Sequence, residues 1–338
     1  MKRDAFFDNA KFILIYLVVF GHMIQPFTET KIIEVLYNFI YIFHMPAFIL
    51  LSGFFAKGIG EMKYIWNLFR KLIIPYLVFQ VLYSGYYFII GDASWQTVWY
   101  EPHWSLWFLL SLFCWHILLI LFKKIPVNLG VSIAVVTGIV VGYINSIGHE
   151  FSLSRTFVFF PFFLIGYWLS KEQIVKLTQP VIKWAAVFVV VIVISILTAT
   201  PAFSSEWLLG SFSYQDMGQP IWGGLLRLGV YLLALTVTCS IFAWVPRKTY
   251  HWTKLGKQTL YVYLLHGVFI QFFREAGWFK VDHIFDIVGL AMLSMIIVLL
   301  LSSKVVFVSF QPFIEGKITQ LKQWRYERRQ RREEELLQ

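Results

Sequence analysis

The chain consists of long apolar stretches separated by short polar segments. Crossing the hydrocarbon core of a bilayer, about 30 Å thick, takes roughly 20 apolar residues per helix. Ten windows of this kind are found, at about residues 10–26, 35–56, 72–90, 104–122, 127–147, 155–170, 180–198, 220–243, 258–274 and 284–310. Because 58% of the 338 residues are apolar and 14% are charged, a water-soluble enzyme is excluded. The sequence predicts an all-α integral membrane protein with about ten transmembrane helices.

The basic residues predict how these helices are oriented. An even number of spans places both termini on one side, and this topology sorts the 29 Lys and Arg residues into two groups. The termini and the loops on their side collect 23 of them. The opposite side collects four: Lys31, Arg155, Arg274 and Lys280. The remaining two, Arg227 and Lys304, lie within apolar windows. Cytoplasmic loops carry the excess of Lys and Arg, so both termini are predicted to be cytoplasmic, and the net charge of +10 requires no nucleic-acid partner.

One membrane domain, residues 1–312, is predicted to precede a charged cytoplasmic tail, residues 313–338. The tail is basic and then acidic, which is typical of a solvated helix beside anionic headgroups; docking of a partner is the alternative. The first window lacks a small-residue cleavage site, so we expect a retained span rather than a signal peptide. Cys114 and Cys239 lie in separate windows and are predicted to pack. No His or carboxylate cluster has the spacing of a metal site.

Lys11 and His22 form the most informative pair of polar residues in the apolar windows, where ionisable groups are costly. At 100° per residue, their spacing of eleven places both on one helix face, about 16 Å apart along the axis. A cation at the cytoplasmic mouth and a deeper imidazole suit a long anionic cofactor that reaches a proton-transfer base. A snorkelling lysine and a packing histidine are the alternative. Asp8, about 21 Å from His22 along the helix, is predicted to cap the helix or to orient Lys11.

Three further candidate residues are His44, in the second window, and Arg70 and Lys71, just before the third. His44 precedes Pro46, and a proline in a span frees backbone carbonyls, often where a cavity is lined. A hydrogen-bonded histidine in a kinked helix explains this position equally well. Arg70 and Lys71 at the cytoplasmic start of the third span could hold phosphates, although ordinary anchoring of the span explains them as well.

Arg155 opens the sixth window and is one of the few cations on the outer side. It is a candidate functional residue, and an outer ion pair with Glu150 or Glu101 is the alternative. His116 is predicted to pack, and Arg227 to form either an internal ion pair or a substrate contact. No GxSxG, HExxH, Walker or dinucleotide-binding motif is present, so the sequence gives no support to soluble-type hydrolase, zincin or nucleotide-binding functions.

Six segments occur in order along the chain: RDAFFDNAKFILIYLVVFGHMIQP, FIYIFHMPAFILLSGFFAKG, FRKLIIPYLVF, HWSLWFLLSLF, SRTFVFFPFFLIGYWL and LGKQTLYVYLLHGVF. Together they resemble the successive motifs of the acyltransferase-3 family, and its fucose 4-O-acetylase-like branch in particular, from about residue 3 to 312. Members of that family are ten-helix membrane proteins. They move acyl groups, usually acetyl from cytoplasmic acetyl-CoA, to hydroxyls of glycans or other acceptors.

The resemblance implies roles for particular residues. Lys11 and His22 match the family's basic residue and the histidine eleven positions later, which is thought to be essential. His44 matches the FHMP histidine, Arg155 the arginine before the FPFF stretch, and His266 the late LLH histidine. The implied catalytic residues are therefore His22, Arg155 and His44, while Lys11 would bind the acyl-CoA.

Two departures concern the acyl-donor contacts. Lys11 stands where Arg is commoner, and the family's pair of basic residues three apart before the third span reads Asn67 and Arg70, with Lys71 as the substitute. The resemblance implies a bacterial plasma-membrane O-acetyltransferase that uses acetyl-CoA, held by Lys11, Arg70 and Lys71, and no metal. Its acceptor would be a cell-envelope glycan or lipid-linked sugar. A polysaccharide exporter or small-solute transporter is the alternative, and a structural membrane partner is the third hypothesis.

Overall fold

The computed structural model describes residues 4–57, 62–91, 98–148, 150–200 and 203–317, together with 319 and 323. These residues form helices and connecting segments, without a strand among them. The helices are α1 (Ala5–Ile24), α2 (Lys31–Phe55), α3 (Met62–Leu68), α4 (Ile74–Ile90), α5 (Trp107–Phe122), α6 (Val127–Val141), α7 (Leu153–Trp168), α8 (Lys171–Leu177), α9 (Pro180–Ala199), α10 (Glu206–Leu209), α11 (Gly223–Trp244), α12 (Thr259–Ala276), α13 (Ile284–Leu301) and α14 (Lys304–Glu315). A π-helical turn, Phe69–Ile73, joins α3 to α4.

Seven helical segments within the described ranges are long and apolar enough to cross a membrane: Ala5–Phe27, Lys31–Phe55, Lys63–Ile90, Glu150–Trp168, Pro180–Ala199, Gly223–Trp244 and Ile284–Leu301. The apolar helices α5 and α6 are shorter, with 16 and 15 residues. Helix α12 is more polar because Gln271, Arg274 and Glu275 lie near its C-terminal end. Each of the ten predicted windows contains one of these helices, and the prediction of an all-α integral membrane protein is confirmed.

The ends of α1 and α13 differ from the sequence predictions. Asp4 caps α1, because its carboxylate accepts the Phe6 amide at 3.1 Å. Asp8 lies buried inside the first turns, so the prediction that Asp8 caps the helix is wrong: a cap residue precedes the first helical residue. The last predicted window, 284–310, is broken after Leu301, and Ser303 starts α14 by accepting the Val306 amide at 3.3 Å. Most of the predicted tail, 313–338, lies outside the described residues.

Several of the basic residues lie together at one end of the helix bundle. Lys171 binds Asp4 at 2.8 Å, and Lys57 Nζ donates to the Leu169 carbonyl at 2.9 Å. These contacts join the start of α1, the end of α2 and the connection from α7 to α8. We call this the basic end. At the other end, Lys31 Nζ donates to the Thr200 carbonyl at 2.9 Å, which joins the start of α2 to the end of α9.

Small residues allow α2 and α7 to pack backbone against backbone. A Cβ on Gly53 would overlap the carbonyl oxygen of Phe163, and one on Gly166 would overlap that of Leu50. Small residues at a helix interface permit such close approach in membrane proteins, where van der Waals contact rather than the hydrophobic effect drives helix association. Helix α1 packs against α2, α12 and α13. Because α2 packs against both α7 and α1, its close pairing with α7 fixes the position of α2 beside α1.

Candidate active site

A cavity of about 370 Å³ opens beside Lys11 and runs between α1, α2, α5 and α12. On α1 it is lined by Lys11, Ile15 and Val18, which are spaced i, i+4 and i+7 and so follow one helix face. The next position on that face is His22. Lys11 and His22 thus share a face, as their spacing predicts, and a continuous space leads from the lysine to the turn before the histidine.

Three other helices line the cavity, and each leads to a residue that lies near His22. Met45 lines it on α2, Phe108 on α5 and Tyr263 on α12. About one turn further from the basic end, α2 contributes Tyr41, the segment before α5 contributes Trp104, and α12 contributes His266. Each of these three side chains contacts His22, and we call the four residues the His22 cluster: His22, Tyr41, Trp104 and His266. The cluster lies just beyond the far end of the cavity.

Contacts on three sides hold the His22 imidazole. The Tyr41 hydroxyl is 2.9 Å from Nδ1, and the Trp104 and His266 rings have centroids 4.4 and 5.7 Å from that of His22. The His22 carbonyl also accepts a hydrogen bond from Arg274 Nη2 at 2.9 Å. With Nδ1–H donating to Tyr41, Nε2 carries the lone pair that a general base requires. The local geometry therefore suits proton abstraction by Nε2.

His266 presents the opposite nitrogen to the site. Its Nδ1 lies 2.7 Å from the Tyr263 carbonyl and 3.1 Å from the Val262 carbonyl, so Nδ1 carries the proton. Nε2 is buried and has no hydrogen-bond partner among the described residues. A buried polar atom of this kind usually has a partner in the functional complex. His266 thus offers an acceptor to a hydroxyl or thiol that enters the cluster.

Trp104 is held in an unusual backbone conformation between the two imidazoles and Arg274. Its φ is +39°, a region that non-glycine residues rarely adopt and that is concentrated at functional sites. Its ring lies 5.0 Å from His266, and the Arg274 guanidinium lies 5.7 Å above it. Arg274 also donates to the Gln25 side chain at 2.7 Å. Arg274 and Trp104 therefore fix the end of α1 that carries His22.

His44 lies behind the cluster rather than in the cavity. Its Nδ1 is 2.9 Å from the Ile40 carbonyl, four residues earlier on the helix that contains Pro46, and its ring packs 4.5 Å from that of Tyr41. Only 3% of the residue is exposed. The structure thus places His44 against Tyr41, whose hydroxyl in turn bonds to His22.

The two arginines of the sequence analysis bond mainly to backbone. Arg155 stacks 5.1 Å over Trp107, and both of its hydrogen bonds, at 3.3 Å, go to the Leu209 carbonyl and the Ser211 hydroxyl. The alternative of an ion pair with an outer glutamate is therefore not formed in the described structure. Arg227 is buried, and Nη1 donates to the Trp207 carbonyl at 2.5 Å. Arg227 thus bonds to backbone and forms no internal ion pair among the described residues, and the alternative of a substrate contact stays a prediction.

The predicted phosphate-binding residues occupy different positions near the basic end. Lys11 lies 4.4 Å over the Phe55 ring at the mouth of the cavity. Arg70 and Lys71 are exposed on the π-helical turn, and neither lines the cavity. His116 is buried and packs against Phe163, as predicted. It also lines the cavity near its mouth, where its Nδ1 lies 3.1 Å from the Tyr64 hydroxyl.

With this geometry in place, comparison with known proteins decides the family. A family model described as an acyltransferase domain, Acyl_transf_3, matches residues 4–303. The chain belongs to the acyltransferase-3 family. It is therefore a membrane acyltransferase, and the resemblance noted from the motifs is confirmed at the level of the family.

Two relatives in this comparison carry the same name. Nodulation protein NolL of Mesorhizobium japonicum is 34% identical over 90 residues, 22% of each chain. NolL of Sinorhizobium fredii is 43% identical over 61 residues, 17% of each chain. The match thus covers about a fifth of the length of these curated relatives. No solved structure matches this chain.

Several residues around the acyltransferase cavity were missed in the sequence analysis. Tyr41 carries a detectable signal, because Tyr37, Tyr41 and His44 are spaced i, i+4 and i+7 and form one polar aromatic stripe on α2. Asn9 has no such pattern, yet its side chain bonds to the Pro246 and Lys248 carbonyls at 2.8 and 2.9 Å. Asn9 thereby fixes a basic segment against α1.

Proposed function

We propose that this acyltransferase is an O-acetyltransferase of a bacterial plasma membrane. It takes acetyl from cytoplasmic acetyl-CoA and transfers it to a hydroxyl of a cell-envelope glycan or lipid-linked sugar. The observation that carries the proposal is the cavity that begins at Lys11 and ends one turn before His22. Its mouth lies near the basic end, which the excess of Lys and Arg predicts to be cytoplasmic.

The donor is expected to lie along this cavity with its phosphates at the mouth. Lys11 supplies one cation there. A second hollow of about 660 Å³ lies against the start of α1 and is lined in part by Asp8, Lys254 and Lys257. Thr259, two residues after Lys257, lines the cavity itself. Lys11, Lys254 and Lys257 are therefore the proposed phosphate contacts, and the exposed Arg70 and Lys71 attract the anionic donor at longer range.

The proposed chemistry is acyl transfer with His22 as general base. His22 Nε2 takes the proton of the acceptor hydroxyl, and the oxygen forms a bond to the acetyl carbonyl carbon. The carbon–sulfur bond then breaks, and the CoA thiolate leaves with the proton returned by the imidazolium. A positioned base of this kind contributes about 10²–10⁴-fold to the rate. Tyr41 sets the tautomer of His22, and His266 Nε2 accepts a hydrogen bond from the reacting group.

The other candidate residues have supporting roles in this proposal. Arg155 stacks on Trp107 and is the proposed source of positive charge for the developing oxyanion. His44 packs behind Tyr41 and keeps its hydroxyl on His22. No metal is required by this mechanism. Among the described residues, no group of three His, Cys, Asp or Glu side chains could hold one.

The test is acetyl-CoA-dependent release of CoA by the purified protein in lipid discs, with a panel of sugar acceptors. We expect release by the wild type and loss of it in His22→Ala, with acetyl-CoA binding retained. Lys11→Met should weaken acetyl-CoA binding, and Lys176→Met, a lysine outside both hollows, is the matched control. Wild-type-like turnover in His22→Ala would refute the assignment of the base. One CoA per enzyme released without acceptor would show that His22 carries the acetyl itself.

A transporter function makes a different prediction in the same discs. If glycan crossed the membrane without acetyl-CoA, and neither binding nor turnover of acetyl-CoA were detected, the exporter alternative would replace the acetyltransferase. His22→Ala with unchanged phenotype in cells would favour the purely structural role.

A further inference from the structure

A further cavity lies on the opposite side of the His22 cluster from the cavity that Lys11, Ile15 and Val18 line, which we call the donor cavity. Its volume is about 390 Å³, within the range of about 300–1,000 Å³ for small-molecule sites. Met23, the residue after His22, lines it on α1, and Ile270 and Arg274, one and two turns beyond His266, line it on α12. We call it the outer cavity. The His22 cluster thus lies between two cavities that approach it from opposite ends of the bundle.

The outer cavity combines aromatic rings with one cation and one amide. Phe27, Phe273 and Phe279 supply the rings, while Arg274 and Gln25 supply the polar groups. Aromatic faces pack against the C–H faces of a pyranose ring, and a guanidinium donates hydrogen bonds to its hydroxyl oxygens. Both hydrogen bonds that Arg274 makes to described residues use Nη2. Donors on the same guanidinium thus remain for a ligand.

A different cavity shows what a purely apolar site in this protein looks like. It has a volume of about 440 Å³ and is lined by residues of α4, α12, α13 and α14, without a charged side chain. Its Tyr83 and Tyr86 hydroxyls already donate to the Leu264 and Val268 carbonyls at 2.8 and 2.7 Å. This lining suits a lipid acyl chain. The outer cavity differs by its guanidinium and amide, which an acyl chain would leave without partners.

We infer that the outer cavity binds a pyranose ring of the acceptor, stacked on Phe273 and its neighbours and hydrogen-bonded by Arg274, so that a hydroxyl faces His22. The inference rests on the proposed function only in taking this sugar to be the acceptor. In this arrangement Arg274 makes two kinds of contact. Nη2 donates to the His22 carbonyl, and the other donors of the guanidinium bind the sugar. Binding of the acceptor is thereby linked to the position of the base.

The test is photolabelling, which reads binding without catalysis. The probes are diazirine-bearing methyl pyranosides of glucose, galactose, mannose, fucose and N-acetylglucosamine, applied to the full chain in lipid discs. Labelled peptides are mapped by mass spectrometry, and unlabelled methyl glycosides serve as competitors. We expect saturable labelling of the peptides that carry residues 23–27 and 270–279, in the wild type and equally in His22→Ala.

Two pairs of variants make the test specific. Phe273→Leu and Phe279→Leu remove a ring but keep an apolar side chain, and each should weaken half-saturation about three- to tenfold. Phe269→Leu, one turn earlier on the same helix and facing the apolar cavity, should leave labelling unchanged, and so should Phe310→Leu in that cavity.

Three results would overturn the inference: no saturable labelling by any of the five sugars, labelling confined to the donor cavity, or equal half-saturation in Phe273→Leu and the wild type. Specific labelling combined with an absence of acetyl-CoA turnover would support the sugar site and overturn the proposed function instead. Failure of the sugar-site inference and failure of the proposed acetyltransferase function therefore give different results.

Discussion

Replacing Tyr41 by Phe tests whether the phenol hydroxyl orients the imidazole of His22, the proposed base. The change removes one oxygen, which lies 2.9 Å from His22 Nδ1, and keeps the ring that packs on Tyr37 and His44. Leaving a buried donor without its partner costs about 1–3 kcal/mol, which is about 5- to 150-fold in rate. From the middle of this range, we expect kcat to fall about tenfold.

The assay is acceptor-dependent CoA release, measured as kcat and as KM for acetyl-CoA. KM should remain unchanged, because Tyr41 does not line the donor cavity. The matched control is Tyr16→Phe on α1, whose hydroxyl donates to the Ala291 carbonyl at 3.3 Å and should leave kcat unchanged. In a His22→Ala background, Tyr41→Phe should have no further effect, since the partner is already gone. A kcat within twofold of wild type for the single variant would refute the orienting role.

Three further predictions concern the frame around the site. Asp4→Asn keeps the helix cap but loses the ion pair with Lys171, and should lower stability by up to about 1 kcal/mol at pH 7. Burial raises the pKa of Asp4, but its bonds to Lys171 and the Phe6 amide outweigh this and lower the pKa overall, so the difference in melting temperature should vanish as the pH falls below about 4. Gly53→Ala should cost about 1–3 kcal/mol in thermal unfolding, whereas Gly289→Ala, with open space at its Cβ, should not destabilise. Trp104 belongs to the His22 cluster, which separates the two cavities. Trp104→Ala should admit water to the thioester and so release CoA in excess of acetylated product, and a ratio of one would contradict this role as a barrier.

The positions of the helices were predictable because the bilayer imposes one rule on every span. Each window had to supply enough apolar residues to cross the core, and each of them contains a helix in the structure. The exact ends were not predictable in this way. Ser303 interrupts the last window through a local cap, and a single capping serine hardly changes the hydropathy of a long window. Likewise, Asp4 rather than Asp8 starts α1, since capping depends on the geometry of the turn.

The candidate site was predictable only where its residues share one helix. The rigid repeat of α1 places Lys11 and His22 on the same face, and both lie beside the donor cavity or at its end. Contacts between distant segments carry no periodic signal. Arg274 bonds to the carbonyl of His22 across 252 positions, and the sequence marked it only as an outer cation. Its role is set by how α12 packs against α1, which the pattern of either helix alone does not determine.

In the proposed reaction, the separation of the two cavities bears on how the thioester of the donor avoids hydrolysis while it lies beside the His22 base. A continuous channel would admit water to the acetyl group and favour hydrolysis over transfer. The His22 cluster closes the end of the donor cavity with rings rather than with flexible chains, and Trp104 holds a costly backbone conformation there. In the proposed reaction His22 lies within this barrier, so the acceptor hydroxyl would reach the base from one side and the thioester of the donor from the other. An imidazole in such a barrier can serve both substrates without providing a path for water between the two aqueous sides.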